Sequence, residues 1–408
     1  MLLDLAPLRR YRDYRLVFVG QLVSAFGSFL TQVAVPVQIW ELTKSSSIVG
    51  LLGTAQLVPL AITSLWGGAV ADAIDRRRLL LWSELLLLLG AVALLVNAAL
   101  PAASTAFVFV AAAFQSAVSG FHRPALESLT QKLVPAEALA AVSALSSLRS
   151  NIAAIVGPAL AGICIATLGL PITYAINAAT FAISLVALAM IRAMPPAADA
   201  PAAGLASIFE GLRYACSRPE LIGTYVVDIV AMTFAMPMAV FPALAATWHG
   251  SDDAGYLLAA LSVGAVLVTI FSGWTRNVHR HGAAIVLAAA AWGVAILALA
   301  SATSLPMAML WLALAGAADA VSALFRMTLW NETIPHDRRG RMAGIEQLSY
   351  MSGPLLGNAR AGFMADWLGL SSSIAWGGVL CVFGVLACIP LLPAFWRYRC
   401  APASPPRP

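Results

Sequence analysis

Long apolar stretches alternate with short gaps along the whole chain, and nearly all the basic residues fall on every second gap. Nineteen of the 24 Lys and Arg residues share that set: Arg9, Arg10, Arg12 and Arg15, then Arg76 to Arg78, Lys132, Arg192, Arg213, Arg218, Arg276, Arg280, Arg338, Arg339, Arg341, and finally Arg397, Arg399 and Arg407. Only Lys44 sits on the other set. Cytoplasmic loops of membrane proteins carry an excess of Lys and Arg, whereas translocated loops do not. The pattern therefore predicts a multi-pass membrane protein with both termini cytoplasmic and an even number of crossings. A soluble fold is excluded, because 61% hydrophobic and 11% charged residues leave too little polar material for a hydrated shell.

A bilayer core of about 30 Å takes roughly 20 apolar residues per helix. Twelve stretches meet that requirement, near 14–40, 47–71, 77–99, 104–130, 138–168, 171–193, 219–247, 253–274, 283–302, 305–333, 341–368 and 372–396. The Pro/Ala-rich run from Pro195 to Pro201 and the amphipathic segment Leu205 to Cys216 separate the sixth from the seventh. The expected organisation is a six-helix bundle over 1–194, a cytoplasmic linker over 195–217, a second bundle over 218–397 and a tail over 398–408. A shift of 200 residues superposes Pro135 on Pro335, Leu148 on Leu348, Gly157 on Gly357, Gly162 on Gly362 and Leu168-Gly169-Leu170 on Leu368-Gly369-Leu370. A shift longer by six places Pro36 on Pro242. Parallel repeats of this kind build secondary transporters whose substrate site lies between the halves.

Other classes lack their signatures. The basic residues form short clusters at helix ends rather than one patch with interleaved aromatics, so no nucleic-acid partner is expected. The Arg-rich start runs into an apolar stretch too long for a signal-peptide core, so it reads as a retained first helix. Cys164, Cys216, Cys381, Cys388 and Cys400 have no metal-ligand spacing and read as inert thiols. Neither a Gly-rich nucleotide loop nor a catalytic constellation is present, so no metal, cofactor, ATP or enzymatic activity is expected.

After the second stretch comes Gly68-Ala69-Val70-Ala71-Asp72-Ala73-Ile74-Asp75-Arg76-Arg77-Arg78. Glycine, then an acid four residues on, then a basic cluster, is similar to the loop motif of the major facilitator superfamily. The resemblance implies an all-α integral membrane protein with twelve transmembrane helices in two pseudo-symmetric six-helix bundles. It makes Gly68, Asp72, Asp75, Arg76, Arg77 and Arg78 a conformational latch between access states, although a solvated loop that only fixes topology has the same composition. The equivalent gap in the second half, Gly273 to Gly282, is basic without the acid. Stretch five carries Asn151 and then Gly157-Pro158-Ala159-Leu160-Ala161-Gly162, which resembles the antiporter motif of drug-exporting branches, with Ala153 and Ala161 where glycine is frequent. Ordinary small-residue packing is the alternative for Gly157, Pro158 and Gly162. Val33 to Ile39, Phe241 to Ala245 and Thr333-Ile334-Pro335 leading to Gly340-Arg341-Met342 resemble the branch that includes enterobactin exporters and macrolide or multidrug efflux pumps. That likeness implies proton-driven export of a bulky amphipathic molecule, a siderophore by preference, by a monomer in the lipid bilayer of a bacterial inner membrane. A macrolide or other drug is the alternative cargo, and an importer of the same fold or a non-transporting membrane receptor the remaining readings. Stretch four departs from many proton antiporters, having no arginine ahead of Gly120; Arg123, nearly one turn later, either substitutes for it or pairs with Glu127.

Ionisable groups in hydrocarbon cost roughly +2.5 to +3.5 kcal/mol at a helix centre, so they mark sites. Asp319 lies near the middle of stretch ten, Arg326 follows on the same face, and Asp228 lies at mid-depth in stretch seven. Arg149 and Arg360 are the deep cations of stretches five and eleven. A carboxylate in a poorly hydrated cavity can bind a proton near neutral pH and release it on the other side, which makes Asp319 and Asp228 the candidate carriers. A fixed ion pair of Asp319 with Arg360 or Arg326 is the competing reading. Glu84, Glu127 and Glu346 lie nearer the cytoplasmic ends and read as helix-end ion pairs, with His122 a hydrogen-bonded structural imidazole. Gln32, Gln38, Gln56, Gln115, Asn177, Tyr350 and Asn358 are the candidate polar substrate contacts, each equally able to serve as an interhelical hydrogen bond.

Overall fold

The computed structural model describes residues 4–193, 213–248, 250–334 and 339–399. Most of the expected linker and of its amphipathic segment lies outside the described residues, as do the side chain of Asp72 and the surroundings of Gly68. Among the described residues twelve longer helical segments follow one another: α1 (Arg12–Thr43), α2 (Ser46–Ala73), α3 (Arg76–Ala99), α4 (Thr105–Lys132), α5 and α6 as the parts 139–168 and 170–189 of the run Leu139–Ala189, α7 (Pro219–Ala235), α8 (Ala254–Ile270), α9 (His281–Leu299), α10 (Leu305–Thr333), α11 (Arg339–Leu368) and α12 (Leu370–Leu391). No strand occurs among the described residues.

Local chemistry sets the helix ends. Ser45 and Ser104 cap α2 and α4 by accepting the Ile48 and Phe107 amides at 3.3 Å each. Asp75 caps α3, taking the Arg77 and Arg78 amides at 2.9 and 3.2 Å. The chain turns from α5 into α6 at Gly169 (φ +78°) and from α11 into α12 at Gly369 (φ +90°), the two glycines that the repeat of 200 superposes. With ψ of 171° and 156°, both occupy a region essentially reserved for glycine. Nothing lies within 4 Å of a Cβ built on Gly369. Gly369→Ala therefore acts through backbone strain alone, with an expected loss of about 1–3 kcal/mol, read as a lower thermal unfolding midpoint in detergent.

The seventh span, expected as one helix over 219–247, is interrupted. Pro237 has no amide hydrogen and drives Met236 to extended backbone (ψ 116°), so α7 stops at Ala235. A 3₁₀ turn, Met238–Val240, and a short helix, Phe241–Ala246, complete the span. Stretch eight likewise passes from α-helix into a 3₁₀ turn at Ser272–Asn277, and stretch twelve breaks after Leu391 and resumes as the short helix Pro393–Trp396, which reaches the expected 396.

The chain divides into two compact units, one of Met1–Ser207 with Phe241–Ala259 and the other of Ile208–Val240 with Ala260–Pro408. In the first, α1 packs on the α5–α6 run, α2 on α4, and α3 on both α4 and α6. Small residues permit the approach: Gly27 faces Asn177 and Thr180, and Gly120 faces Thr63. The second unit repeats this scheme six helices later. There α7 packs on α11 and α12, α9 on α10 and α12, and Gly264 and Gly316 seat α8 against α10. Gln21, Glu84 and Asn177 are buried in the first unit, while Trp66, Trp82, Val110, Ile270, Phe271 and Phe383 are more than half exposed, an arrangement that only a lipid solvent favours.

Candidate functional site

Two of the intramembrane carboxylates meet on one guanidinium in the second unit. Asp228 comes from α7, Asp319 and Arg326 from α10. Side chains on a helix lean toward its N-terminus, so Arg326 reaches back two turns to lie 3.6 Å from Asp319 Oδ1 while pairing closely with Asp228. Arg326 and Asp228 are buried, at 5% and 7% exposure, whereas Asp319 keeps 39% of its side chain exposed. A narrow crevice lined by Asp228, Ala231, Met232, Ala289, Trp292, Asp319 and Ser322 lies over the cluster. The Trp292 indole N–H is buried there without a partner among the described residues. Tyr350 is within electrostatic reach of Arg326.

With every group ionised the cluster carries two negative charges and one positive, and one proton makes it neutral. An unpaired charge in this medium costs several kcal/mol. Of the two pairings open to Asp319, the fold makes the one with Arg326. Arg360 points elsewhere: its Nη1 donates to the Ser373 carbonyl at 2.9 Å and lies 3.6 Å from Met364 Sδ, in space that Gly377 leaves free. The contact of Asp228 with Arg326 joins two helices distant in sequence and has no local signature.

The other candidates are dispersed. Arg149 on α5 lies within electrostatic reach of Tyr14, Glu127 and Arg123 in the first unit. Arg123 pairs with Glu127 at 3.3 Å. Gln38 accepts from the Tyr174 hydroxyl at 2.8 Å, and Asn177 donates to Thr31 Oγ1 at 2.5 Å, both buried between α1 and α6. Gln32 is exposed; Gln56 accepts at its carbonyl from Ser116 Oγ at 2.9 Å; Gln115 packs against Gly90. Asn358 Oδ1 accepts the Ala239 amide at 3.1 Å, satisfying a donor that the break at Pro237 frees. Asn358→Ala leaves that amide unpaired, and a loss of about 1–3 kcal/mol in unfolding free energy is expected, measurable by denaturation in detergent.

Around the loop motif, Arg76 Nε donates to Ser128 Oγ at 2.5 Å, and Arg77 donates to the Leu188 and Ala189 carbonyls at 3.1 and 2.6 Å. Arg77 thus caps the C-terminus of α6, where a cation suits the helix dipole. Arg78 is exposed. Gly157 and the buried Pro158 of α5 lie at α1, where a Cβ on Gly157 would come within 2.6 Å of Phe29 Cβ. Gly162 faces Gly255, with 2.5 Å from such a Cβ to the Gly255 Cα. Glu84, expected at a helix end, is instead wholly buried and hydrogen-bonded to His122.

Known proteins share both the fold and the sequence pattern. A POT family transporter solved with a thioalcohol-conjugated peptide superposes with a TM-score of 0.73 at 11% identity, over 94% of this chain and 96% of that one. A D-xylose-proton symporter gives 0.70 at 15% identity over 92% and 96%. A bacterial homologue of the lysosomal transporter Spinster, inward-facing and unoccupied, gives 0.70 at 16% over 97% and 99%. These likenesses establish the major facilitator fold. In sequence, the chain is 28% identical over 403 residues to the enterobactin exporter EntS of Shigella boydii serotype 4, covering 98% of this chain and 97% of that protein. It is 29% identical over 410 residues to EntS of Citrobacter koseri, covering 99% and 97%. The family described as transmembrane secretion effector matches residues 3–397. A helical, lipid-adapted chain with this fold, matched from end to end, is a multi-pass membrane transporter and belongs to the transmembrane secretion effector family of the major facilitator superfamily.

Proposed function

We propose that this transporter exports a bulky amphipathic small molecule, a siderophore by preference, from the bacterial cytoplasm across the inner membrane by proton antiport. The observation that carries the reading is the pair of carboxylates sharing Arg326, Asp228 buried and Asp319 with 39% of its side chain exposed. A proton taken up there neutralises the cluster and lets it pass through the low-dielectric stage of alternating access. Release on the cytoplasmic face restores the charge and readies the site for cargo. Whole-length similarity to enterobactin exporters supports both the outward direction and the siderophore. In this reading residues 1–194 and 218–397 are the two rocking bundles, 195–217 links them on the cytoplasmic side with both termini, and Asp72 works with the basic cluster after it as the latch.

A second reading, efflux of macrolide-like or other cationic drugs, has its own support. The half-buried Asp319 carboxylate, which shares a lining with Trp292, suits a cationic group next to an aromatic ring. Everted vesicles from cells making the transporter distinguish the two: acid-inside vesicles are expected to accumulate enterobactin in preference to a macrolide, and a protonophore to abolish it. Accumulation of the macrolide alone selects the second reading. Protonophore-insensitive accumulation of either compound, or none of both, overturns antiport.

A further inference from the structure

We propose that Glu84 and His122 form a second proton-binding site, an imidazolium–carboxylate pair holding one proton inside the first unit. Glu84 on α3 has 0% exposure, so water does not stabilise its charge. Its Oε1 accepts from Gln21 Nε2 of α1 at 2.6 Å and from Ser184 Oγ of α6 at 3.0 Å, and lies 3.0 Å from His122 Nε2 of α4. Ser24 Oγ of α1 adds a longer contact, 3.4 Å to Oε2. Several donors converging on one carboxyl group suit the ionised form, which is an acceptor only.

The other charged and titratable groups on these helices are engaged elsewhere. On α1, Asp13 pairs with Arg192 and Arg12, Arg15 donates to the Leu8 carbonyl, Tyr14 lies near Arg149, and Glu41 accepts from Ser251. On α3, Arg76 bonds Ser128, Arg77 caps α6 and Arg78 is exposed. On α4, Arg123 pairs with Glu127, and Lys132 is exposed at the end of the helix. Among the described residues His122 is thus the basic side chain recorded against Glu84.

A carboxylate buried without a counter-charge costs several kcal/mol, so the pair keeps a proton between its two members. Binding converts neutral imidazole beside carboxylate into imidazolium beside carboxylate, and release reverses it. His122 retains 16% exposure and provides the edge through which the proton exchanges. Both residues lie toward the basic ends of their helices, Glu84 about 12 Å along α3 from Arg76 and His122 toward the Lys132 end of α4. The site shares no residue with the Asp228–Arg326–Asp319 cluster and stands whether or not that cluster drives transport.

Infrared spectroscopy of the purified full-length protein near neutral pH tests it without any substrate. Wild type is expected to show no protonated-carboxyl band that Glu84→Gln removes. In His122→Gln the proton moves to Glu84, so such a band appears, shifts in heavy water, and vanishes in the Glu84→Gln/His122→Gln double variant. If His122→Gln does not fold, the double variant is expected to fold, because it buries only neutral hydrogen-bonding groups. A Glu84 band already present in wild type, no new band in a folded His122→Gln, a band unmoved by heavy water, or a double variant that fails to fold would each overturn the proposal.

Discussion

Replacing Arg326 with Gln is expected to cost the protein about 3–5 kcal/mol, seen as lost yield and a lower unfolding midpoint in detergent. The guanidinium is 5% exposed and is the counter-charge for Asp228, itself 7% exposed, and for Asp319. Its removal leaves two carboxylates facing one another in an apolar unit. Each must then be buried as an unpaired charge or take up a proton, and either course weakens the folded state relative to the unfolded chain. The sign of the effect is checked by a second substitution: Arg326→Gln combined with Asp228→Asn is expected to regain a large share of the loss, because the deepest unpaired charge has gone. Arg326→Lys should fall between. Its ammonium is a compact point charge without the planar fork that lets one side chain serve two carboxylates on different helices.

The second large effect is functional. Asp319→Asn and Asp228→Asn each leave one carboxylate on one guanidinium, a neutral pair that imitates the protonated cluster permanently. Folding is expected to survive in both, since Arg326 keeps a partner. Accumulation driven by a pH gradient is expected to fall roughly tenfold or more in each variant, while exchange of substrate down its own gradient continues. A strut with no part in proton traffic gives the opposite pattern, in which both modes decline together or neither does. The split between driven and downhill transport therefore reports the role of the cluster independently of how much protein reaches the membrane.

Features that depend on local composition were legible in the sequence, and features that depend on helix rotation were not. Apolar length gave the twelve spans, because lipid imposes one requirement on every crossing helix. The repeat of 200 residues found Gly169 and Gly369, and both turned out to hold the one backbone conformation that joins their helix pairs. Arg326 was placed on the face of Asp319 by spacing alone. Its contact with Asp228, by contrast, depends on how α7 and α10 face each other, which no spacing encodes. Pro237 carried a visible break signal, yet the apolar run across it hid the interruption of the seventh span, and with it the use of Asn358 as a backbone acceptor. Glu84 misled for a similar reason. Sequence position puts it near a helix end, but the helix turns it inward, where residues from three other helices converge on it.

Proton release measured against cargo is the most direct trial of the central claim, that the Asp228–Arg326–Asp319 cluster exchanges a proton for substrate. Everted vesicles are acidified by respiration and followed with a fluorescent pH probe, and enterobactin, or a macrolide for the second reading, is then added. Wild-type vesicles are expected to lose part of their acid interior as cargo enters, whereas vesicles with Asp319→Asn or Asp228→Asn keep theirs. Wild-type proton loss in both variants, with cargo moving normally, would contradict the account.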